Sequence, residues 1–335
     1  MAVYCCLFTF HCLLFTNHCS LITVYCSLIT DYCSLITDMD SANLGNNLKK
    51  KPGSPRSLLG TIMTVLSGLC LAVTIIPLFA VLGFVFVQGV GSLNANLFTK
   101  LPPPPGLGGG GIANAILGTI IVVALATAIA VPIGVLAAVY LSEFSGDNKL
   151  AQGVRFATNV LAGVPSIIVG VFAYGLLVAP LFGEGTALLG FSALAGSIGL
   201  AVLMLPTIIR TTDEALKIVP QDIRWAAMGL GAYNYQTVLK IVLPAAVPAI
   251  LTGVTLAIAR AAGETASLIF TALFSNFWPR GVFEPIATLS VLVFNFATAP
   301  FAPQQQLAWA GALILVFLVL VTNILSRLAT RQKTY

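Results

Sequence analysis

Charged residues are scarce in this chain, and their scarcity decides its class. Lys, Arg, Asp and Glu make up 8% of the 335 residues, while 58% are hydrophobic, and the mean hydropathy is +0.99. Soluble globular domains carry about 25% charged residues, so this composition excludes that class. The chain is therefore predicted to be an integral membrane protein.

Other absences exclude classes of enzyme. No Lys follows a Gly, so the GxxxxGK[ST] phosphate cradle of nucleotide hydrolases is missing. The two His residues, His11 and His18, lie in an N-terminal repeat without a CxxC pair, which argues against a zinc site. Arg260 and Glu264 are the only charges placed within predicted spans, which excludes an intramembrane Asp dyad for proteolysis. We expect a non-catalytic chain without a metal or cofactor of its own.

Long runs without charge predict an all-α membrane fold. A span needs roughly 20 apolar residues, and these runs are continuous, whereas barrel strands alternate apolar and polar residues in segments of about ten. The six predicted helices cover residues 58–87, 113–140, 156–179, 194–209, 247–270 and 307–326.

The basic residues predict the orientation of these helices. If the N-terminal tail is cytoplasmic, thirteen of the sixteen Lys and Arg residues fall on the inside. Lys100 and Arg280 fall outside, and Arg260 lies within the membrane. This bias places both termini in the cytoplasm. The basic residues on the inner side also account for the net charge of +5. We therefore expect the chain to contact membrane lipid and not nucleic acid.

The N-terminus carries a near-verbatim repeat, CSLITVY, CSLITDY, CSLITDM, in which Cys recurs at every seventh position from Cys5 to Cys33. A heptad coiled coil is the structural alternative, but Thr, Tyr, Ser and Cys fill such a seam poorly. No Lys or Arg precedes Lys49 to form the basic region of a signal peptide. We hypothesise that translation starts at Met39 and that residues 1–38 are read-through of an upstream DNA repeat. If translated, they form a weak extra span.

The chain after residue 38 is predicted to consist of one transmembrane domain between two tails. Residues 39–57 are expected to be a cytoplasmic tail, residues 58–331 a transmembrane domain and residues 332–335 a second cytoplasmic tail.

Arg260 and Glu264 stand inside an otherwise apolar segment. Each costs about 2.5 to 3.5 kcal/mol at the membrane centre, so neither is expected to face lipid. On a helix, residues four apart share one face and can pair. The pair either locks helix packing or lines a passage, where the planar guanidinium suits an oxyanion.

The segment 210–244 is predicted to form a short helix that breaks before Pro220 and a second helix from about Gln221 to the glycines Gly229 and Gly231. Asp222 complements the dipole of the second helix. The small residues on this helix pair are typical of a docking element, and the alternative is an amphipathic surface loop.

This segment resembles the EAA loop of ABC importer permeases, which consists of EAA, three residues, G, nine residues and I-x-L-P. The family's Glu falls on Trp225, which has no carboxylate to form an ion pair. The matching residues are Ala226, Ala227, Gly231, Ile241, Leu243 and Pro244.

Flanking runs narrow the resemblance. GGIANAILGTI from Gly110, GVPSIIVG from Gly163 and IARAAGETA from Ile258 are similar to the A-type permease subunits of high-affinity phosphate importers, over about residues 58–331. The resemblance implies a six-helix bundle, with a MetI-like core plus one N-terminal helix, in the inner membrane of a prokaryote. Arg260 and Glu264 would line the substrate path.

The resemblance also implies partners. A C-type permease subunit would form the heterodimer, and two copies of an ATPase, which uses ATP and Mg, would dock on the loop 211–244. An extracytoplasmic binding protein would deliver phosphate.

Two alternatives stay open. One is a permease for another oxyanion, such as molybdate or sulfate, which would share the EAA loop. The other is an ion-coupled secondary transporter that uses Glu264 as its titrating group.

Overall fold

The computed structural model describes residues 55–146, 148–179 and 188–330. The predictions for the repeat, for the start at Met39 and for the tail 332–335 lie outside these residues. Contacts divide the chain into two units, Met1–Leu78 and Phe79–Tyr335. Of the first unit the structure describes residues 55–78, which are helical. The candidate site lies within the second unit.

The described residues form helices and loops without a strand, which confirms the all-α prediction. Three helices continue or begin as π-helical turns, at Tyr140–Phe144, Tyr174–Val178 and Val238–Val242. In chain order the helices are α1 (Pro55–Val90), α2 (Ala95–Thr99), α3 (Ala113–Val139), α4 (Lys149–Gly163), α5 (Ser166–Ala173), α6 (Ala193–Ile218), α7 (Gln221–Gly229), α8 (Asn234–Thr237), α9 (Leu243–Ala262), α10 (Ala266–Thr271), α11 (Leu289–Ala297) and α12 (Ala302–Thr330).

Five helical segments of the described chain are long and apolar enough to cross a membrane, and they account for five of the six predicted spans. They are Leu59–Val90, Ala113–Phe144, Ala193–Ile218, Asn234–Ala262 and Ala302–Ile324.

The third predicted span is not one straight helix. α4 and the segment Ser166–Val178 meet at an angle of 108° and together make a sixth span only if the bent pair is counted as one. The bend falls at Pro165, and Val164 before it adopts an extended conformation, φ −74° and ψ 130°. A residue before proline is pushed out of the α region by the proline ring, which ends α4 here.

The fourth predicted span and the short helix expected after it are one element. α6 runs without interruption to Ile218 and contains Pro206. It begins at Ser192, whose hydroxyl accepts a hydrogen bond from the Ala195 N–H at 3.2 Å, an N-cap that fixes where the helix starts. The polar residues from Arg210 to Ile218 are therefore a direct continuation of a membrane helix.

Small residues bring α3, α6 and α9 close together. A Cβ on Gly134 of α3 would lie 2.7 Å from Ile208 of α6, and a Cβ on Gly253 of α9 would lie 2.2 Å from Thr211 of α6. Ser197 Oγ also donates to the Val122 carbonyl at 3.1 Å, which links α6 to α3. Close approach of this kind supplies the van der Waals packing that holds membrane helices together. These three helices position both parts of the candidate site.

Candidate functional site

Arg260 and Glu264 do not share one helix, contrary to the expectation from their spacing. α9 ends at Ala262, and α10 begins at Ala266, so Arg260 lies in the last turn of α9 and Glu264 lies in the connection. Glycine at position 263 favours this ending because its helix propensity is low. Ser290 Oγ donates to the Glu264 carbonyl at 2.7 Å and satisfies a group that the helix leaves open.

The two side chains nevertheless border one small pocket. α6 contributes Leu200, Leu203, Met204 and Thr207 to its wall, and α9 contributes Ala257 and Ala261. The described residues form three ion pairs, none of which includes Arg260 or Glu264. The described structure therefore shows no ion pair between these two side chains, one of which lies in α9 and the other in the connection after it. Both charges stay available to another group.

Arg260 is exposed at the end of α9, whereas Glu264 is half-buried. The span Asn234–Ala262 that carries Arg260 is apolar enough to cross the bilayer. A cation at such a position must meet water, a ligand or another protein, since contact with lipid tails is costly.

Of the two helices predicted for this segment, the second forms after α6 as α7, whereas the first is the C-terminal part of α6 itself. α6 ends at Ile218, and α7 begins at Gln221 directly after Pro220, with Asp222 in its first turn. Gly231 adopts φ +86°, and its N–H donates to the Met228 carbonyl at 2.9 Å. A residue in the left-handed region after a helix is usually glycine, because a side chain is strained there. The expected turn at Gly231 is confirmed.

The other residues of the loop motif lie along one continuous path from α7 to α9. Ala227 is buried, and Ala226 is exposed beside it. Ile241 lies in the π-helical turn, and Leu243 and Pro244 open α9, with proline in its first turn, where its missing N–H is tolerated. The motif therefore connects the surface helix directly to the helix that carries Arg260.

The outer surface of this loop is apolar. Trp225 is 63% exposed and Leu230 is 90% exposed. Apolar surface of this size on a loop is typical of a protein contact. The large exposed side chains, here called the loop patch, are Ile223, Trp225, Met228, Leu230, Tyr233 and Tyr235.

A buried ion pair that the sequence did not reveal anchors the same loop. Arg224 Nη1 donates to both carboxylate oxygens of Glu143, at 2.6 Å to Oε1. Arg224 Nη2 donates to the Leu216 carbonyl at 2.8 Å. The two charged side chains are only 12% and 6% exposed. They are 81 residues apart, so no local pattern could pair them.

A further bond joins α4 to the same place. Arg155 Nη2 donates to the Leu141 carbonyl at 2.9 Å, and Ser145 Oγ donates to that carbonyl at 2.8 Å. Leu141 and Glu143 both lie in the π-helical turn that follows α3. The end of α3 is therefore tied to α4, α6 and α7 by polar contacts.

Comparison with known proteins identifies the class. The model of the family described as binding-protein-dependent transport system inner membrane component matches residues 130–334. The chain belongs to this family. Together with the long apolar helices, membership makes it a multi-pass protein of the bacterial inner membrane.

Similar curated proteins cover most of the chain. The phosphate transport system permease protein PstA of Yersinia pestis is 42% identical over 270 residues, which are 80% of this chain and 89% of the relative. The protein of the same name from Haemophilus influenzae is 41% identical over 79% of this chain and 93% of its own length. The predicted family resemblance is confirmed.

Solved structures share the architecture. A bacterial alginate ABC transporter in complex with a pentasaccharide-bound periplasmic protein matches with a TM-score of 0.61 and 15% identity, over 83% of this chain and 95% of the matched chain. The MetNI methionine ABC transporter matches with a TM-score of 0.50 and 20% identity, over 67% and 95%. These likenesses confirm the predicted permease fold.

Proposed function

We propose that this chain is the membrane-spanning subunit of an ATP-driven phosphate importer, that it forms half of the translocation path, and that it couples to an ATPase through the loop 211–244. The chain itself is non-catalytic and holds no cofactor, since ATP and Mg are used by the ATPase. The names of the similar Yersinia and Haemophilus proteins support phosphate as the substrate.

The observation that carries the proposal is the exposed, unpaired guanidinium of Arg260. Among the described ion pairs none neutralises it, and it lies at the end of an apolar membrane helix. Arginine presents planar donors that suit phosphate oxygens. Glu264, on the same pocket, lowers the local positive potential without occupying those donors. An anion would be held weakly enough to leave again, as transport requires.

The exposed position of Arg260 also supports a second permease subunit. One chain leaves this residue on its surface, so a partner is needed to close a path around it. We take that partner to be the C-type subunit, which forms a heterodimer with this chain. An extracytoplasmic phosphate-binding protein delivers the substrate and supplies most of the selectivity, because the pocket at Arg260 is small and largely apolar.

The loop patch supports docking of the ATPase. Its side chains belong to α7, the following turn and α8, and the same segment leads into α9. Two ATPase copies, one for each permease subunit, would press on such loops as they close. The motion would then reach Arg260 through α9, in the manner of a rigid-body switch between inward-facing and outward-facing states.

Reconstitution tests the proposal. The chain, the C-type subunit and the ATPase are placed in proteoliposomes with ATP inside, and uptake of radiolabelled phosphate is measured with the binding protein outside. We expect uptake that requires ATP and that excess molybdate or sulfate does not inhibit. Uptake of molybdate or sulfate in preference to phosphate would contradict the substrate, and uptake without ATP would contradict the mechanism.

A further inference from the structure

The surface helix α7, the end of α6 and the π-helical turn after α3 meet at one largely buried guanidinium. Arg224 belongs to α7, Glu143 follows α3 and the Leu216 carbonyl lies in the last turn of α6. Arg224 donates to both partners at the same time, to Glu143 through Nη1 and to Leu216 through Nη2. A single side chain thus links the surface helix of the loop to two membrane helices.

The environment of this junction differs from that of an ordinary surface ion pair. The side chains of Arg224 and Glu143 are 12% and 6% exposed, whereas those of Arg210 and Glu214 are 67% and 66% exposed. An exposed pair is screened by water and can open freely, but a buried charge that loses its partner is left without compensation. α7 therefore cannot separate from the ends of α3 and α6 without a large penalty.

The helices joined here lead to the candidate path. α6 supplies four residues of the pocket that Arg260 borders, and α3 packs on α6 through the close approach at Gly134. A force applied to the loop patch on α7 has two routes into the membrane. One route follows the chain through α8 into α9, and the other passes through Arg224 into α3 and α6.

We propose that Arg224 and Glu143 are positioning residues that transmit the movement of the loop to α3 and α6, so that ATP hydrolysis is coupled to opening of the path. This inference rests on the proposed function, since it requires an ATPase on the loop. Without the junction, α7 follows the ATPase while α3 and α6 remain in place. Hydrolysis then continues, but little substrate crosses the membrane.

The test measures hydrolysis and transport in the same proteoliposomes. Arg224→Gln and Glu143→Gln are compared with the matched exposed pair, Arg210→Gln and Glu214→Gln. A coupling free energy between two sites typically corresponds to a factor of 5 to 150, so we expect phosphate uptake to fall by about tenfold or more in the junction variants. ATP hydrolysis stimulated by the binding protein should remain near its normal rate, and the exposed-pair variants should keep the normal ratio of ATP to phosphate.

Arg224→Lys separates transmission from simple loss of structure. Lysine keeps the positive charge opposite Glu143 but has no second nitrogen for the Leu216 carbonyl. We expect its ratio of ATP to phosphate to lie between those of the normal protein and Arg224→Gln. If Arg224→Gln does not assemble, the lysine variant decides: a raised ratio supports the inference, and a normal ratio overturns it.

Two further results would overturn the inference. One is a normal ratio in assembled Arg224→Gln, equal to that of Arg210→Gln. The other is an equal loss of hydrolysis and uptake in both Arg224 variants, which would assign the junction a merely structural role. Failure of the proposed function gives a different result, because the unchanged protein with its partners would then show no ATP-dependent phosphate uptake.

Discussion

Arg224 and Arg260 carry the same side chain in opposite settings. Arg224 is mostly buried, its guanidinium bonded to a carboxylate and to a backbone carbonyl. Arg260 is exposed at the end of a membrane helix, and the ion pairs formed by the described residues do not include it. A guanidinium bonded to a carboxylate and to a backbone carbonyl holds a structure together, whereas one outside the described ion pairs is available to a ligand. Under the proposed function, Arg224 transmits movement within the protein, whereas Arg260 lines the path of the anion.

The largest effect on phosphate uptake is expected from substitutions of Arg260 and Glu264. Arg260→Gln, or Glu264→Gln, should abolish phosphate uptake while the complex still assembles, because neither side chain is part of an ion pair that the fold needs. Arg260→Lys is the matched control, which keeps the charge but not the planar donors, and should retain a part of the activity. Uptake into proteoliposomes and recovery of the complex are measured together. Normal transport by both Arg260→Gln and Glu264→Gln would show that these two residues do not lie on the translocation path.

The next effect concerns the stability of the complex when Arg224 is replaced. Breaking a buried ion pair costs about 3 to 5 kcal/mol because one charge is left without compensation. Arg224→Gln should therefore lower the thermal unfolding midpoint of the purified complex clearly, and Arg260→Gln should leave it nearly unchanged. The double variant Glu143→Leu with Arg224→Leu should be less destabilised than Arg224→Gln, since both charges are removed. Equal unfolding midpoints for Arg224→Gln and Arg260→Gln would contradict the claim that Arg224 stabilises the fold more than Arg260 does.

A smaller effect is expected at the turn of the loop. A side chain at Gly231 would have open space but would be strained at φ +86°, by roughly 1 to 2 kcal/mol. Gly231→Val should weaken copurification of the ATPase by disturbing the loop patch. Gly229→Val is the control, since that position also has open space but lies in α7 without a positive φ. Full recovery of the ATPase with Gly231→Val would argue against this turn as a docking element.

The smallest effect is expected at the exposed pair. Arg210 and Glu214 are joined at 3.5 Å and are both about two-thirds exposed. Such pairs contribute about 0 to 1 kcal/mol, so Arg210→Gln should hardly change the unfolding midpoint of the complex. A loss as large as that of Arg224→Gln would show that burial is not what distinguishes the junction.

Long apolar runs predicted five membrane spans, and Pro220 and the glycines predicted α7, because these signals act locally. The separate short helix expected before Pro220 is instead the end of α6. Other features depend on the neighbours of a residue. Pro165, with Gly163 shortly before it, bends the chain, whereas Pro206 lies inside the continuous helix α6. The break after Ala262 is stabilised by Ser290, which is 26 residues away from Glu264. A spacing of four therefore did not place Arg260 and Glu264 on one helical face.

The sequence likewise predicted one part of the candidate site and not the other. An Arg and a Glu in an apolar segment stand out in the sequence, and both border the same pocket in the structure. Glu143 and Arg224 gave no such signal, since Glu143 follows an apolar run and Arg224 lies in the polar segment 210–244, like many charges at a membrane surface. Only the packing of α3 against α6 brings them together, and that packing depends on small residues scattered along both helices.

The most direct test of the account is phosphate uptake by the reconstituted complex with ATP inside the vesicles and an ionophore that collapses the proton gradient. If ATP drives phosphate along a path lined by Arg260, uptake continues under these conditions, requires the ATPase and the binding protein, and disappears in Arg260→Gln. Uptake by the isolated chain that is driven by a proton gradient and unaffected by Arg260→Gln would contradict it.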